Sequence, residues 1–346
     1  MRAALWEGIG SVGLAELPDP EPGPADLVID VGACGICGSD VHAFAEGAWI
    51  SAGARMGHEF AGTVRAVGAE VRGIAVGDRV AVNPMGPCGG CAQCAAGNTN
   101  LCAAPVHGAG GGLADRVLVP RAQLGRRVFR LPDGLSLEEG AFLEPLSVAV
   151  RAVRSAALDE PILVTGLGSI GQCALRALLA YGATDVVGID VSPPRLAAGA
   201  AAGATVLDAR DGVDALKAQL LDRWGTSTSP YQPGSGNVGT VVECSGALPM
   251  LELATAVARA AGTIVVAGLT SRTPPLDVNT VVQKELRLRG SFAYTADDAA
   301  EAFRLLADGH VRVADLVTHR VPLERVAEAF TAQHAVDGSI KVMVIP

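Results

Sequence analysis

Four cysteines, Cys88, Cys91, Cys94 and Cys102, follow one another with the spacing C-x2-C-x2-C-x7-C. Spacers this short let one loop wrap a tetrahedral ion, and four thiolates leave no open position on it. A closed site cannot take a substrate, so this cluster is expected to hold metal for structure alone. An iron–sulfur reading fits less well, because ferredoxin-like runs end in a shorter spacer and lack such a glycine-rich lobe. Chemistry must be sought elsewhere. The stretches CGICGSDVH and MGHEF supply Cys37, Ser39, His42, His58 and Glu59. Taken singly, each is ambiguous. Cys34 and Cys37 could be small core residues, His58 a hydrogen-bonded core histidine, and Ser39 a helix N-cap.

A second constellation is GLGSIG, in which Gly166, Gly168 and Gly171 surround Ser169 and Ile170. It follows the apolar run PILVTG and opens a helical pattern. There the glycines allow a tight turn and let the backbone approach a pyrophosphate at the positive end of a helix. The next strand pattern ends in Asp190, about 20 residues on, where a carboxylate can hold ribose hydroxyls. A carboxylate at that place repels a 2′-phosphate, so the expected cofactor is NAD rather than NADP. Arg195 either flanks the adenine ribose or is a solvated helix residue. The alternative to a cofactor site is an ordinary strand-to-helix turn, which the full context disfavours.

These residues need elements to hold them. The first third reads as short strands, DLVIDVGACG, FAGTVRAVG, DRVAVNP and LADRVLVP, cut by turn residues at close intervals. SLEEGAFLEPLSVAVRAVRSAAL carries apolar residues at helical spacing and predicts one helix, or two with a break at Pro145. From Pro161 the rhythm is strand, helix, strand, helix, with continuous apolar strands, which indicates a parallel, doubly wound sheet. Residues 225–237 read as a mobile polar loop. The tail returns through LRLRGSFAY, an amphipathic helix and the strand IKVMVIP.

A chain of 346 residues suggests two domains, and 49% apolar residues allow large cores. The net charge of −9 and the lack of a Lys/Arg cluster argue against nucleic acid, including a zinc-ribbon binder. The N-terminus lacks the apolar core of a signal peptide, and no apolar run is long enough to cross a bilayer. A soluble cytoplasmic protein is expected, in which clustered thiols read as metal ligands before disulfides.

Together these motifs resemble the zinc-containing medium-chain dehydrogenases. The resemblance covers nearly the whole chain through GHEFAGTVRAVG, GDRV, the cysteine lobe, LEPLSVA, GLGSIG, VECSG and the C-terminal return. It is closest to the polyol and secondary-alcohol branch, such as sorbitol and butanediol dehydrogenases. The resemblance implies an α/β chain: a GroES-like β-rich catalytic domain with a structural-zinc lobe (1–149), a Rossmann NAD domain (150–286), and a segment returning to the catalytic domain (287–346). It implies two zinc ions per chain, one on the four clustered cysteines and a catalytic one at Cys37 and His58. The third catalytic-zinc group is Glu59 or Glu144, since members of this branch differ in which carboxylate touches the metal. The open position takes water or an alcohol oxygen, whose pKa the metal lowers. Ser39 and His42 match the family's path for the proton, and the hydride passes to the nicotinamide. Gly268, Leu269, Ser291 and Phe292 are further expected cofactor contacts.

The implied activity is hydride transfer between NAD and a secondary alcohol or ketone, a polyol, diol or sugar-like alcohol. A threonine-type amino-alcohol or sugar dehydrogenase is the alternative. A non-catalytic NAD-binding relative is a third reading, which the presence of Cys37, His58 and Ser39 disfavours. The implied partners are a small-molecule substrate and further copies of the chain, as a homodimer or homotetramer. Two departures stand out. The sorbitol branch has a Tyr where this chain has Ala43, and an Arg–Tyr pair where it has Ala293 and Tyr294. The missing Arg removes a polyol-binding donor, which counts against sorbitol itself.

Overall fold

The computed structural model describes the chain apart from residues 106–108, 228–229, 271, 275 and 336–337. The expected mobile loop at 225–237 therefore lies partly outside the described residues. The chain divides into two compact units, Met1–Ser147 with Ala293–Pro346, and Val148–Phe292. None of its described helices is long and apolar enough to cross a membrane.

The first unit opens with an antiparallel ribbon of β1 (Arg2–Gly8) and β2 (Ser11–Glu16). The strand β3 (Leu27–Gly35) then runs into α1 (Gly38–Glu46). After it come β4 (Glu59–Val67), β5 (Arg79–Val82), the short α2 (Ala92–Ala95), β6 (Arg116–Val119) and β7 (Val128–Arg130). The hub is β3, which pairs antiparallel with β4 along its length and with β6 over its first half. Ile29, Phe60, Val80 and Val117 fill the core of this unit and are almost completely buried.

The helical pattern after residue 136 becomes α3 (Leu137–Ala141) and α4 (Leu143–Val153). Ser136 caps α3 by accepting the Glu139 N–H, while the Glu139 carboxylate accepts the Ser136 N–H at 2.9 Å. The break expected at Pro145 falls instead at Phe142. Pro145 sits in the first turn of α4, where its missing N–H and fixed φ cost nothing.

The second unit is a six-stranded parallel sheet among the described residues. Its strands are β8 (Ile162–Thr165), β9 (Val186–Asp190), β10 (Thr205–Asp208), β11 (Val238–Glu243), β12 (Ala258–Val266) and β13 (Arg287–Gly290), in the order β10-β9-β8-β11-β12-β13. That order reverses between β8 and β11, the topological switch at which such sheets bind ligands beyond the strands' C-terminal ends. The helices between them are α5 (Ser169–Ala180), α6 (Pro193–Ala201), α7 (Val213–Trp224), α8 (Leu248–Val257) and α9 (Val278–Gln283). The prolines expected to open α6 occupy its first turn.

The segment expected to leave this sheet at residue 287 does so later. β13 pairs in parallel with β12, from Thr263–Arg287 to Val266–Gly290, so its backbone completes the sheet. Residues 293–346 then rejoin the first unit through α10 (Ala296–Ala307), β14 (Val317–Pro322), α11 (Val326–His334) and β15 (Lys341–Ile345). Here β15 pairs with the end of β3, Met343 against Gly35 and Val344 against Cys34.

One buried lysine closes the end of a helix. Lys284 is 1% exposed, and its Nζ donates to the carbonyls of Thr255 (2.7 Å), Ala256 (2.9 Å) and Ala258 (3.0 Å). Thr255 and Ala256 lie in the last turn of α8, whose carbonyls lack intrahelical partners, and Ala258 begins β12; the Gly236 N–H also reaches the Ala256 carbonyl, at 3.2 Å. Lys284→Met is expected to remove the ammonium from all three carbonyls, leaving Ala256 only the Gly236 N–H, and to destabilise the chain by about 2 kcal/mol. Denaturant unfolding followed by circular dichroism checks this, and an unchanged midpoint would show that the carbonyls are satisfied without the ammonium.

Candidate active site

The first-unit site is built where strands end. Cys37 is the N-cap of α1, directly beyond β3, and the Asp40 carboxylate accepts the Cys37 N–H at 3.0 Å. Ser39 is therefore not the N-cap; it lies in the first turn, leaving its hydroxyl available for another role. Glu59 starts β4, and the β3–β4 register sets it opposite Gly35. His58 precedes it. The Sγ of Cys37, a ring nitrogen of His58 and a carboxylate oxygen of Glu59 all lie within 4.8 Å of one another. No sequence pattern joins residue 37 to 58–59; the register does.

Two further residues, absent from the sequence-based set, support the cluster. Asp40 Oδ1 lies 3.7 Å from His58 Nδ1, and burial raises the Asp40 pKa against the pull of His58. At that distance the Asp40 carboxylate attracts a charged imidazole without hydrogen-bonding it. Behind Glu59 stands Lys341 at the start of β15, with both side chains 1% exposed. Its Nζ donates to Glu59 Oε2 at 2.6 Å and to the Ile36 carbonyl at 3.0 Å. A Cβ on Gly35 would lie 2.2 Å from Glu59 Oε2, so only glycine leaves room for this pair. The one sequence signal for Lys341 was a cation inside the apolar run IKVMVIP; the signal for Asp40 was an acid three residues after the capping Cys37.

Glu144, in the first turn of α4, does not join the three-residue cluster, although it is buried nearby. Burial pushes its carboxyl up to about 7, against the pull of His58. Tyr294 is 1% exposed; burial and then the Glu144 carboxylate hold its phenol well above the ordinary range. Burial opposes a charge on His58, yet Asp40, Cys37 and Glu144 still hold its pKa well above the usual value. Glu59 Oε1, Glu144 Oε2 and Tyr294 Oη are buried without hydrogen-bond partners. Acidic neighbours around a histidine, with carboxylate oxygens left over, form a donor set that suits a divalent cation. On α1, His42 Nδ1 is 3.4 Å from Glu46 Oε1, and its ring meets the edge of Trp49 at 6.0 Å.

The four sulfurs of Cys88, Cys91, Cys94 and Cys102 lie within 4.8 Å of one another. Backbone N–H groups of Cys94 and Ala103 bring the Cys91 thiol down to about 6, and the Cys88 N–H points at Cys102 Sγ at 3.2 Å. The lobe around them is largely exposed, so it lacks a core of its own that could hold the loop.

In the second unit, the expected cofactor residues gather at the C-terminal ends of parallel strands. Gly166 and Gly168 follow β8, and Ser169, Ile170 and Gly171 begin α5. Asp190 ends β9, Gly268 and Leu269 follow β12, and Ser291 and Phe292 follow β13. Gly166 has φ +80°, and a Cβ on Gly171 would lie 1.8 Å from the Gly166 carbonyl oxygen, so the turn tolerates no side chain there. No side chain caps α5, and the hydroxyls of Ser169 and Ser291 are buried without partners. Free helix-start N–H groups beside orphaned hydroxyls suit a pyrophosphate. Asp190 has a second task that the spacing did not show. Its Oδ2 accepts the Leu167 N–H at 2.7 Å and its Oδ1 the Ser192 N–H at 2.8 Å, tying the glycine turn to the start of α6. Arg195 Nη1 lies 3.8 Å from Asp190 Oδ2.

Residues 23–133 match the family described as alcohol dehydrogenase GroES-like domain, and residues 169–308 match the family described as zinc-binding dehydrogenase. The chain is 33% identical to D-xylulose reductase A of Aspergillus niger, over 98% of this chain and 95% of that protein. It is similar in structure to 2R,3R-butanediol dehydrogenase of Bacillus subtilis, with 31% identity, a TM-score of 0.85, and coverage of 100% and 99% of the two chains. It is also similar to a zinc-binding dehydrogenase of Sinorhizobium meliloti bound to NADP, with 30% identity, a TM-score of 0.86 and the same coverage. Two family matches in chain order, and relatives aligned from end to end, agree with the donor set and the sheet: this chain belongs to the zinc-binding alcohol dehydrogenase family and is an oxidoreductase acting on alcohols and ketones.

Proposed function

We propose that this chain is an NAD-dependent zinc dehydrogenase that interconverts a polyol or diol and its ketone. The observation that carries the reading is the Cys37, His58 and Glu59 cluster, whose ligand atoms converge beside a carboxylate oxygen without a partner. In this reading Cys37, His58 and Glu59 hold the catalytic zinc. Glu144 is the second carboxylate, placed to orient the group in the open position. Zinc bound there supplies a Lewis acid that lowers the pKa of the substrate hydroxyl. Ser39 would take up the substrate hydroxyl proton as it releases its own, which would leave through the ribose hydroxyls of the cofactor and His42, whose Nδ1 lies 3.4 Å from Glu46 Oε1, towards water. Cys88, Cys91, Cys94 and Cys102 hold a structural zinc. The names of the xylulose reductase and butanediol dehydrogenase relatives support a substrate with vicinal oxygen functions. Ala43 and Ala293 leave less side-chain bulk and one cation fewer than the sorbitol branch, which counts against sorbitol and leaves room for a less hydroxylated or bulkier alcohol. The chain acts in a reducing compartment, the cytoplasm, as a homodimer or homotetramer.

Zinc-replete protein incubated with xylitol, sorbitol, 2,3-butanediol and threonine, with NAD or NADP, tests the substrate class through the nicotinamide absorbance. Reduction of the cofactor with 2,3-butanediol or xylitol, weaker with sorbitol and absent with threonine, is expected. Turnover of threonine alone, or of none of the four, overturns the proposal.

Cofactor choice follows from Asp190. Its carboxylate accepts hydrogen bonds from a ribose diol and repels a 2′-phosphate, so kcat/KM should favour NAD. Asp190→Ser is expected to move that ratio towards NADP by about one to two decades, the size of one lost charge-assisted contact. Arg195, already 3.8 Å from the carboxylate, would then meet the phosphate. Wild-type protein that prefers NADP in steady-state kinetics sinks the assignment.

A further inference from the structure

We propose that Glu243 is a positioning residue of the dinucleotide crevice, its carboxylate fixing the loop that follows β11 against the end of β8, beside the loop that follows β12. The inference rests on the cofactor reading above and extends it to the buried acid of the VECSG motif, which has no other task. Glu243 ends β11 at the topological switch of the sheet and is 2% exposed. Among the described residues no cation pairs with it. Burying a carboxylate is costly unless hydrogen bonds hold its charge. Here those bonds come from the loop after β11 and from the Thr165 hydroxyl at the end of β8.

Its Oε1 accepts the Ser245 N–H at 2.7 Å, the Gly246 N–H at 3.0 Å and the Ser245 hydroxyl. The Thr165 hydroxyl at the end of β8 reaches the same oxygen at 3.5 Å. Ser245 passes the connection on, because its Oγ accepts the Ala247 N–H at 3.0 Å where no side chain caps α8. The Glu243 carbonyl meanwhile accepts the N–H groups of Ala267 (2.8 Å) and Gly268 (2.9 Å). The loops so gathered are in close contact. A Cβ on Gly166 would lie 2.6 Å from Ser245 Cα, one on Gly246 would lie 2.1 Å from the Leu269 carbonyl oxygen, and one on Gly268 would lie 2.3 Å from the Gly246 nitrogen. With no slack between them, any movement of Ser245 and Gly246 moves Gly166, Gly268 and Leu269. The adenine-ribose end is anchored separately, by Asp190 at the end of β9.

The two halves of the crevice should therefore respond differently to loss of Glu243. Calorimetric titration of the full chain with 5′-AMP and with NADH, or NADPH if wild type binds it more tightly, tests this. Glu243→Ala should weaken the dinucleotide by about 30-fold, as expected for stranding several donors, while AMP stays within about 2-fold. Glu243→Gln keeps one acceptor oxygen in place and should restore dinucleotide binding to near wild type. If Glu243→Ala does not fold, Ser245→Ala carries the test, with an expected weakening of about 5-fold for the dinucleotide alone. Equal losses for AMP and dinucleotide would show general loosening of the unit and overturn the proposal. So would dinucleotide binding that neither alanine variant changes. Wild-type protein that binds no nicotinamide dinucleotide overturns the cofactor reading and this inference with it.

Discussion

Glu59→Ala is expected to empty the catalytic metal cluster and abolish measurable turnover, whereas Glu144→Ala should retain most of the metal and lose turnover by about 100-fold or more. The asymmetry comes from where the two carboxylates stand. Glu59 contributes one of the three converging ligand atoms and is also the anion that neutralises Lys341. Removing it deletes a ligand and leaves a buried ammonium, donor to the Ile36 carbonyl, pointing at the place of a divalent cation. Breaking a buried pair in this way is far more harmful than never having built it. Glu144 stands outside the converging atoms, so its loss should disturb the orientation of the exchanging group rather than retention of the ion. Zinc content by elemental analysis, measured beside kcat, separates the two. Zinc-free Glu144→Ala with zinc-replete Glu59→Ala would exchange the roles, and full turnover in both would remove the carboxylates from the mechanism.

Replacing Cys91 by Ser should do most of its damage to folding. In the lobe four sulfurs face one point, and much of the surrounding chain is exposed to solvent. Such a loop has no apolar core to fall back on, and metal binding is then part of the folding free energy. Backbone N–H groups bring the Cys91 thiol down to about 6, while burial pushes the neighbouring Cys94 thiol up to about 12. A serine hydroxyl does not ionise there. The expected result is one zinc fewer per chain, a poor yield of soluble protein and a melting midpoint lower by about 10 °C. The protein that does fold should keep its affinity for the cofactor. A stable variant that had lost its metal from Cys37 and His58 alone would reverse the division between structural and catalytic ions.

The sequence by itself determined the elements and the chemical types. Apolar runs between glycines specified the parallel strands, because a strand buried on both faces has few places for polar residues. GLGSIG and the acid ending the next strand specified the cofactor crest, since the turn's steric demand is local and only glycine meets it. The cysteine lobe was legible for the same reason: all four ligands lie on one short loop, so spacing is geometry. Where ligands come from different strands, spacing says nothing. Register alone puts Glu59 opposite Gly35 and two residues from Cys37 along the chain direction, and β15 alone brings Lys341 to Glu59 across the whole length of the sequence. The same limit hid the difference between Glu59 and Glu144. Both are acids in family motifs, and only the folded chain separates the one within 4.8 Å of Cys37 and His58 from the one beyond it. The sequence does not place the strand at 287–290, because Arg-Leu-Arg-Gly, two cations and one apolar residue, carries no mark of the sheet it will join; the pairing with β12 decides it. Local sterics and burial patterns are written along the chain. The pairing of distant buried charges is decided only when tertiary packing removes water from both at once, which makes each the other's only adequate partner.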